Sequence, residues 1–417
     1  MTDATSKPQD TGLHAPTDML TRGFDPALSV GSARPAVFRS STYVFPSPEA
    51  AERAFDLSAG RARPAPGESV ALIYSRFNHP NAEILEEQIV PLEPGASCAL
   101  VFNSGMSAIM NALLAFLKPG ATLVYSVPIY GGTQKLIQAF LEPWGVRGVP
   151  VHAGRGGELD AALRDNPQVG VVLIETPANP TLTMTDIARA CRSAAGVSPR
   201  PLVMVDNTML GPTFQHPLEL GADLVLYSAT KYLSGFSDLI GGVALARDPE
   251  LLRKLKLLRN LFGTILQPDE CWMLNSRLPT VELRMRQAAA NARRIAKRLA
   301  RHAKIARVLY PALFTDPAQI AIREAQCEAS GAMLSIELAG GKPAAFEFLR
   351  RLRIARNAVS LGGVETLVCH PKTTTHSGFS EKEFAAAGVT DGLVRISIGV
   401  EDWRDLLADF EQALGSG

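Results

Sequence analysis

Between about residues 70 and 250, short apolar runs alternate with stretches of helical spacing. The runs 98–102, 122–125, 170–174, 202–205, 224–227 and 240–246 are rich in Val, Leu and Ile, and they predict strands. Amphipathic stretches such as 106–117 and 133–141 predict helices between them. This alternation predicts an α/β fold built on a mostly parallel, doubly wound sheet with helices on both faces. Further along, an arginine-rich helical pattern over 282–300 leads into a second alternation. There, strands are expected at 332–338 and 393–398, and helices at 344–352 and 403–414. Residues 58–68, rich in Gly, Pro and Arg, read as a mobile loop or inter-subunit segment.

The composition narrows the field without naming a function. The chain has 417 residues, two or three domains' worth, and 42 basic against 41 acidic residues give a net charge of +1. That balance gives no reason to expect nucleic acid or an anionic membrane surface. No apolar run approaches the roughly 20 residues of a membrane span. Residues 1–17 are polar and lack a basic-then-apolar leader pattern, so they read as a loose arm in a cytoplasmic protein. Five scattered cysteines form no CxxC pair, so neither a metal site nor a disulfide framework is expected.

In doubly wound sheets, ligands bind beyond the carboxyl ends of the strands, so the residues that follow each run carry the argument. After the first come Asn103-Ser104-Gly105-Met106 and a helix. After the second comes Tyr130-Gly131-Gly132-Thr133, and after the next Glu175-Thr176-Pro177-Ala178-Asn179-Pro180. The following two end in Asp206-Asn207-Thr208 and Ser228-Ala229-Thr230-Lys231-Tyr232. A helix N-terminus, an aromatic ring, an amide, a carboxylate, hydroxyls and a lysine thus collect at one sheet edge. Each alone has an ordinary structural explanation as a cap, a turn or a solvated side chain. Together they match what pyridoxal 5'-phosphate (PLP) needs from a protein. Lys231 supplies the amine that forms an imine with the cofactor's aldehyde. Asp206 suits the ring nitrogen. The N–H groups of Gly105 and Met106, with the Ser228 and Thr230 hydroxyls, suit the phosphate. Tyr130 suits the ring face.

In order, these motifs, together with Tyr74-Ser75-Arg76, Ser360-Leu361-Gly362-Gly363-Val364-Glu365 and Arg395-Ile396-Ser397-Ile398-Gly399-Val400-Glu401-Asp402, resemble the Cys/Met-metabolism family of PLP enzymes. The likeness runs from about residue 23 to 414. It implies a fold-type I PLP transferase architecture with a seven-stranded sheet. Its expected parts are an N-terminal arm (1–64), a large cofactor-binding domain (65–265) and a smaller C-terminal α/β domain (266–417). It also implies that Ser104 joins the phosphate cup and that Asn179 bonds the cofactor's ring oxygen. Arg395, helped by Ser360, would hold an amino acid's α-carboxylate. Tyr74 and Arg76 would reach the phosphate of a neighbouring subunit's cofactor in a homo-oligomer, usually a tetramer made of two dimers. No metal is implied.

The family eliminates or replaces groups at the β or γ carbon of amino acids. The tail Thr375-His376-Ser377, with Gly388 and Asp391-Gly392-Leu393-Val394-Arg395, resembles methionine γ-lyases. Val359 stands where cystathionine γ-lyases carry glutamate, which favours an uncharged substrate side chain. Against a simple assignment, Gly132 replaces a reactive cysteine of methionine γ-lyases and Phe236 replaces a usual histidine. Ser276-Arg277-Leu278-Pro279-Thr280 also departs from the family pattern. The expected activity is γ-elimination from methionine, giving methanethiol, 2-oxobutanoate and ammonia. The alternatives are γ-replacement on an acylated homoserine and a silent PLP-binding homologue. Ser228-x-x-Lys231 also fits a serine β-lactamase nucleophile pattern. Its companion motifs are missing, since 237–239 is Ser-Asp-Leu and 372–374 is Lys-Thr-Thr.

Overall fold

A computed structural model describes residues 12–415 apart from Gly67 and Ser69. Seven strands form the first sheet: β1 (Cys98–Phe102), β2 (Thr122–Val127), β3 (Arg147–His152), β4 (Val169–Glu175), β5 (Leu202–Asp206), β6 (Leu224–Ser228) and β7 (Gly242–Ala246). Their order is β1-β7-β6-β5-β4-β2-β3. Only β7 runs against its neighbours, pairing antiparallel with both β1 and β6. The sheet is buried on both faces, and this is why its strands read as nearly continuous apolar runs. Alternate residues serve opposite cores. Leu224 and Leu226 pack on one side with Leu123, Val171 and Ala244, while Val225 and Tyr227 pack on the other with Val101 and Val243.

The second sheet has the order β10-β11-β12-β9-β8, where β8 is Ile305–Leu309, β9 Met333–Leu338, β10 Arg356–Asn357, β11 Leu367–Cys369 and β12 Leu393–Ser397. The helices Gly341–Arg351 and Trp403–Leu414 cover it, closing a core that includes Phe348, Phe410, Ile336 and Val394.

Six strands of the first sheet lie where the apolar runs predict them. The seventh, β3, was not expected: it reads Arg-Gly-Val-Pro-Val-His, sits at the sheet edge and is largely open to solvent. The helix expected over 133–141 starts at Gly131 and finishes as a π-helical turn, Ile137–Leu141. The 282–300 pattern is the helix Val281–Leu299.

Of the arm expected over 1–17, residues 1–11 lie outside the described residues. From Ala15 the chain is already helical (Ala15–Thr21), with a proline in its first turn and Met19 buried in the main core. In the 58–68 loop, Gly67 lies outside the described residues, Ser58 closes the helix Pro48–Ser58, and Arg53 ties Glu68 back at 2.7 Å. Among the described residues no helix is long and apolar enough to cross a membrane.

Candidate active site

Glu175, Asp206 and Ser228 end β4, β5 and β6, Glu175 in register with Asp206, and the turn after β6 carries Lys231. The β6 turn closes against the loop that follows β10. Lys231 Nζ donates to Ser360 Oγ at 2.8 Å. Ser360 is held at φ 90°, a left-handed conformation uncommon for a side-chain-bearing residue. Its neighbour Gly362 also has positive φ, and a Cβ there would lie 2.7 Å from the Tyr232 nitrogen, so only glycine allows this approach. Burial, and next the Arg395 guanidinium, lower the Lys231 amine to about 8, against the pull of Asp206.

Arg395 comes from β12 and is almost fully buried. Its guanidinium donates to the Ser360 carbonyl at 2.7 Å and to Asn179 Oδ1 at 3.2 Å. Asn179 therefore has its amide oxygen engaged and its NH2 group directed elsewhere. A cation, an amine and an amide from three separate stretches of chain meet here.

Asp206 is oriented by Thr208, whose N–H (3.1 Å) and hydroxyl (2.6 Å) both donate to Oδ1. The Ser228 N–H in turn donates to Thr208 Oγ1 at 2.9 Å. Burial raises the Asp206 carboxyl above its ordinary range, and the two Thr208 hydrogen bonds, then the Lys231 charge, partly offset this. A buried carboxylate with one oxygen fixed and no cation in contact among the described residues fits a protonated ring nitrogen.

The helix Gly105–Phe116 begins hard against Ser228: a Cβ on Gly105 would lie 2.8 Å from Ser228 Cβ. Ser104 caps this helix by accepting the Ser107 N–H at 3.0 Å, and its hydroxyl also meets that of Ser107. Among the described residues the Gly105 and Met106 N–H groups make no hydrogen bond, as the first turn of a helix requires. They form an anion cradle beside the Ser228 hydroxyl. The Thr230 hydroxyl is tied to Gly241, accepting its N–H at 3.1 Å.

Tyr130 precedes the helix Gly131–Leu136 and is 43% exposed, so a ring face is open to a ligand. Tyr74 and Arg76 lie elsewhere in the chain. Tyr74 bridges to Thr42, Arg76 donates to the Asn260 carbonyl, and no hydrogen bond joins either to Lys231, Asp206 or Ser228 among the described residues.

Sequence reasoning gave no role to three residues here. Thr208 orients Asp206, and an Asp-x-Thr ending a strand is a readable signal for that turn. His376 is buried against the Asn179 carbonyl at 3.2 Å. Glu175 accepts the backbone N–H groups of Tyr130 and Asn179. Backbone partners leave no mark in a sequence.

The amine, the acid, the anion cradle and the open aromatic face fit PLP, and comparison with known proteins agrees. An L-methionine gamma-lyase of Fusobacterium nucleatum is 38% identical over 386 residues, 92% of this chain and 94% of that protein. A cystathionine gamma-synthase of Escherichia coli is 40% identical over 339 residues, 81% of this chain and 86% of that protein. The crystal structure of cystathionine gamma synthase from Xanthomonas oryzae pv. oryzae in complex with cystathionine superposes with a TM-score of 0.87 at 36% identity, covering 96% of this chain and 98% of that one. The family described as Cys/Met metabolism PLP-dependent enzyme matches residues 16–415. The chain belongs to the Cys/Met metabolism PLP-dependent enzyme family.

Proposed function

We propose that this enzyme eliminates the γ-substituent of L-methionine, releasing methanethiol, 2-oxobutanoate and ammonia. The observation that carries this reading is the Lys231 amine, lowered to about 8 and 2.8 Å from Ser360, beside the Arg395 guanidinium. One group can move protons near neutral pH and the other can hold a substrate carboxylate.

In this reading, Lys231 and Asp206 would hold PLP at its aldehyde and ring nitrogen, and Asn179 at its ring oxygen. Ser104, Gly105, Met106, Ser228 and Thr230 would enclose its phosphate. When bound, PLP supplies an electron sink for negative charge at the substrate's α-carbon. Arg395 and Ser360 orient the amino acid. The Lys231 amine would take the proton from Cα, hand it on to the bound cofactor and, neutral again, take the next from Cβ. The Tyr130 phenol gives a proton to the departing sulfur, and water completes 2-oxobutanoate and ammonia.

Val359 before Ser360 is apolar, and Asp238 is paired with Arg277, which supports an uncharged substrate side chain. Glu365 is bonded to the neutral Ser237 hydroxyl and keeps its charge. We further propose that Tyr74 and Arg76 complete a partner subunit's phosphate site in a cytoplasmic homotetramer. The arm, large domain and C-terminal domain would meet near residues 64 and 265.

The test is release of 2-oxobutanoate and methanethiol from L-methionine by the PLP-loaded protein, with Lys231→Ala beside it. Lysine-dependent release of both products is expected. No release, with consumption of an acylated homoserine plus a thiol, would replace this reading by γ-replacement. The cystathionine gamma-synthase relative makes that the second reading.

A further inference from the structure

Glu175 ends β4 directly beside Asp206 of β5, in register. It is 5% exposed, yet its carboxylate reaches backbone rather than a cation. Oε2 accepts the Tyr130 N–H at 2.8 Å and Oε1 accepts the Asn179 N–H at 3.2 Å. Its own N–H is fixed by Ser126 Oγ at 2.9 Å. Tyr130 belongs to the loop after β2 and Asn179 to the loop after β4, so each oxygen holds a different loop. Placing a second carboxylate beside Asp206 is unfavourable in itself. Burial, and then the Asp206 charge, push its carboxyl above the ordinary range, and the Tyr130 and Asn179 N–H bonds, then Arg395, only partly offset them.

We propose that Glu175 is a positioning residue that clamps the Tyr130 and Asn179 loops against the cofactor ring. This rests on the reading that the Lys231 site holds PLP. The clamp uses both oxygens as acceptors. Glutamine offers one acceptor and turns an NH2 toward the other N–H. Aspartate keeps the charge but is shorter by about 1.5 Å, and it cannot serve both loops. A cationic ring nitrogen beside Asp206 offsets the repulsion on Glu175. Cofactor binding therefore favours the ionised carboxylate, the form that grips both loops.

The experiment compares wild type, Glu175→Gln, Glu175→Asp and Lys231→Ala by PLP titration and by visible absorption and circular dichroism of the bound cofactor. Both Glu175 variants should keep the lysine-dependent absorption band. They should lose most of the induced circular dichroism, and their PLP Kd should rise about tenfold, the size expected for one lost charge-assisted hydrogen bond. Wild-type dichroism and affinity in Glu175→Gln would overturn the clamp. Recovery by Glu175→Asp alone would also overturn it, since that is rescue by charge rather than reach. A Lys231→Ala protein that keeps the band would instead overturn the cofactor reading beneath it. If the Glu175 variants do not fold, hydrogen exchange on wild type decides. PLP should slow exchange at the Tyr130 and Asn179 amides together, and no protection at either overturns the proposal.

Discussion

Lys231 holds its charge poorly because it is largely removed from water, faces Arg395 and has a hydroxyl, not a carboxylate, as its bonded partner. The neutral amine is the nucleophile. In the cofactor-free protein the rate of PLP capture should therefore climb about tenfold per pH unit and level off near pH 8. An ordinary lysine would still be climbing at pH 10. Stopped-flow absorbance across pH 6–10 checks this, and a rate still rising at pH 10 would mean the amine is not depressed. Gly132 offers a second test at this scale. A Cβ there would lie 2.6 Å from Tyr130 Cε1 and 3.2 Å from Met106 Sδ. Gly132→Ala must therefore push the Tyr130 ring out of place. With the ring misplaced as proton donor, kcat on L-methionine should fall about tenfold or more while the fold survives. An unchanged kcat would show that the ring position does not matter.

Among the elements, the loop around His376 joins the second sheet to the first. The His376 ring donates from Nε2 to the Asn179 carbonyl, accepts from Thr375 at Nδ1 (2.8 Å) and packs edge-on to Phe379. Thr375 closes over Gly131, where a Cβ would lie 2.6 Å from its carbonyl oxygen. Burial, and then Arg395, lower the His376 pKa to about 4. The unfolded chain takes up this proton near 6.5. Between about 6.5 and 4 the unfolded state binds more protons, so stability is lost as pH falls through that window. Relative to His376→Gln, wild type should lose about 2 kcal/mol between pH 7 and pH 5. Paired denaturation curves measure the gap, and a gap that does not narrow would mean the ring is already accessible to protons. This loop also shows where the sequence stops being readable. Continuous apolar runs disclosed β4, β5 and β6, and with them Asp206 and Lys231. Edge strand β3 hid behind Gly148 and Pro150, and two-residue β10 had no pattern to offer. Lys231 stood out through its residue type at a strand end, whereas roles for Asn179 and Arg395 came only from the family resemblance. Glu175, at the Tyr130 N–H, and His376, at the Asn179 carbonyl, act on backbone groups contributed by distant segments, and only the folded chain brings those together.

At the scale of the whole molecule, one buried ion pair joins the segments that surround the site. Arg259, in the helix Pro249–Phe262, meets Glu86, in the helix Pro80–Ile89, at 2.6 Å, and Arg259 is 1% exposed. The same guanidinium donates to the Val101 carbonyl in β1 (3.0 Å) and to the Phe77 carbonyl (3.3 Å), while Glu86 accepts the Val101 N–H at 3.0 Å and the Asn78 amide at 3.2 Å. The pair thus fixes β1, which leads into the anion cradle at Gly105, and the backbone immediately after Tyr74 and Arg76. Breaking such a pair on one side leaves a buried charge without its counterion, which costs about 3–5 kcal/mol, whereas replacing both members with apolar residues is often close to neutral. Arg259→Met should therefore speed hydrogen exchange in β1 and in both helices by an amount in that range and should weaken PLP retention. Glu86→Leu combined with Arg259→Met should restore much of the exchange protection. If the single and double variants exchange alike, the pair is not what joins these segments. If only the helices loosen while β1 keeps its protection, the Val101 bonds are dispensable and the cradle is held from β7, where a Cβ on Gly242 would overlap the Ser104 carbonyl oxygen.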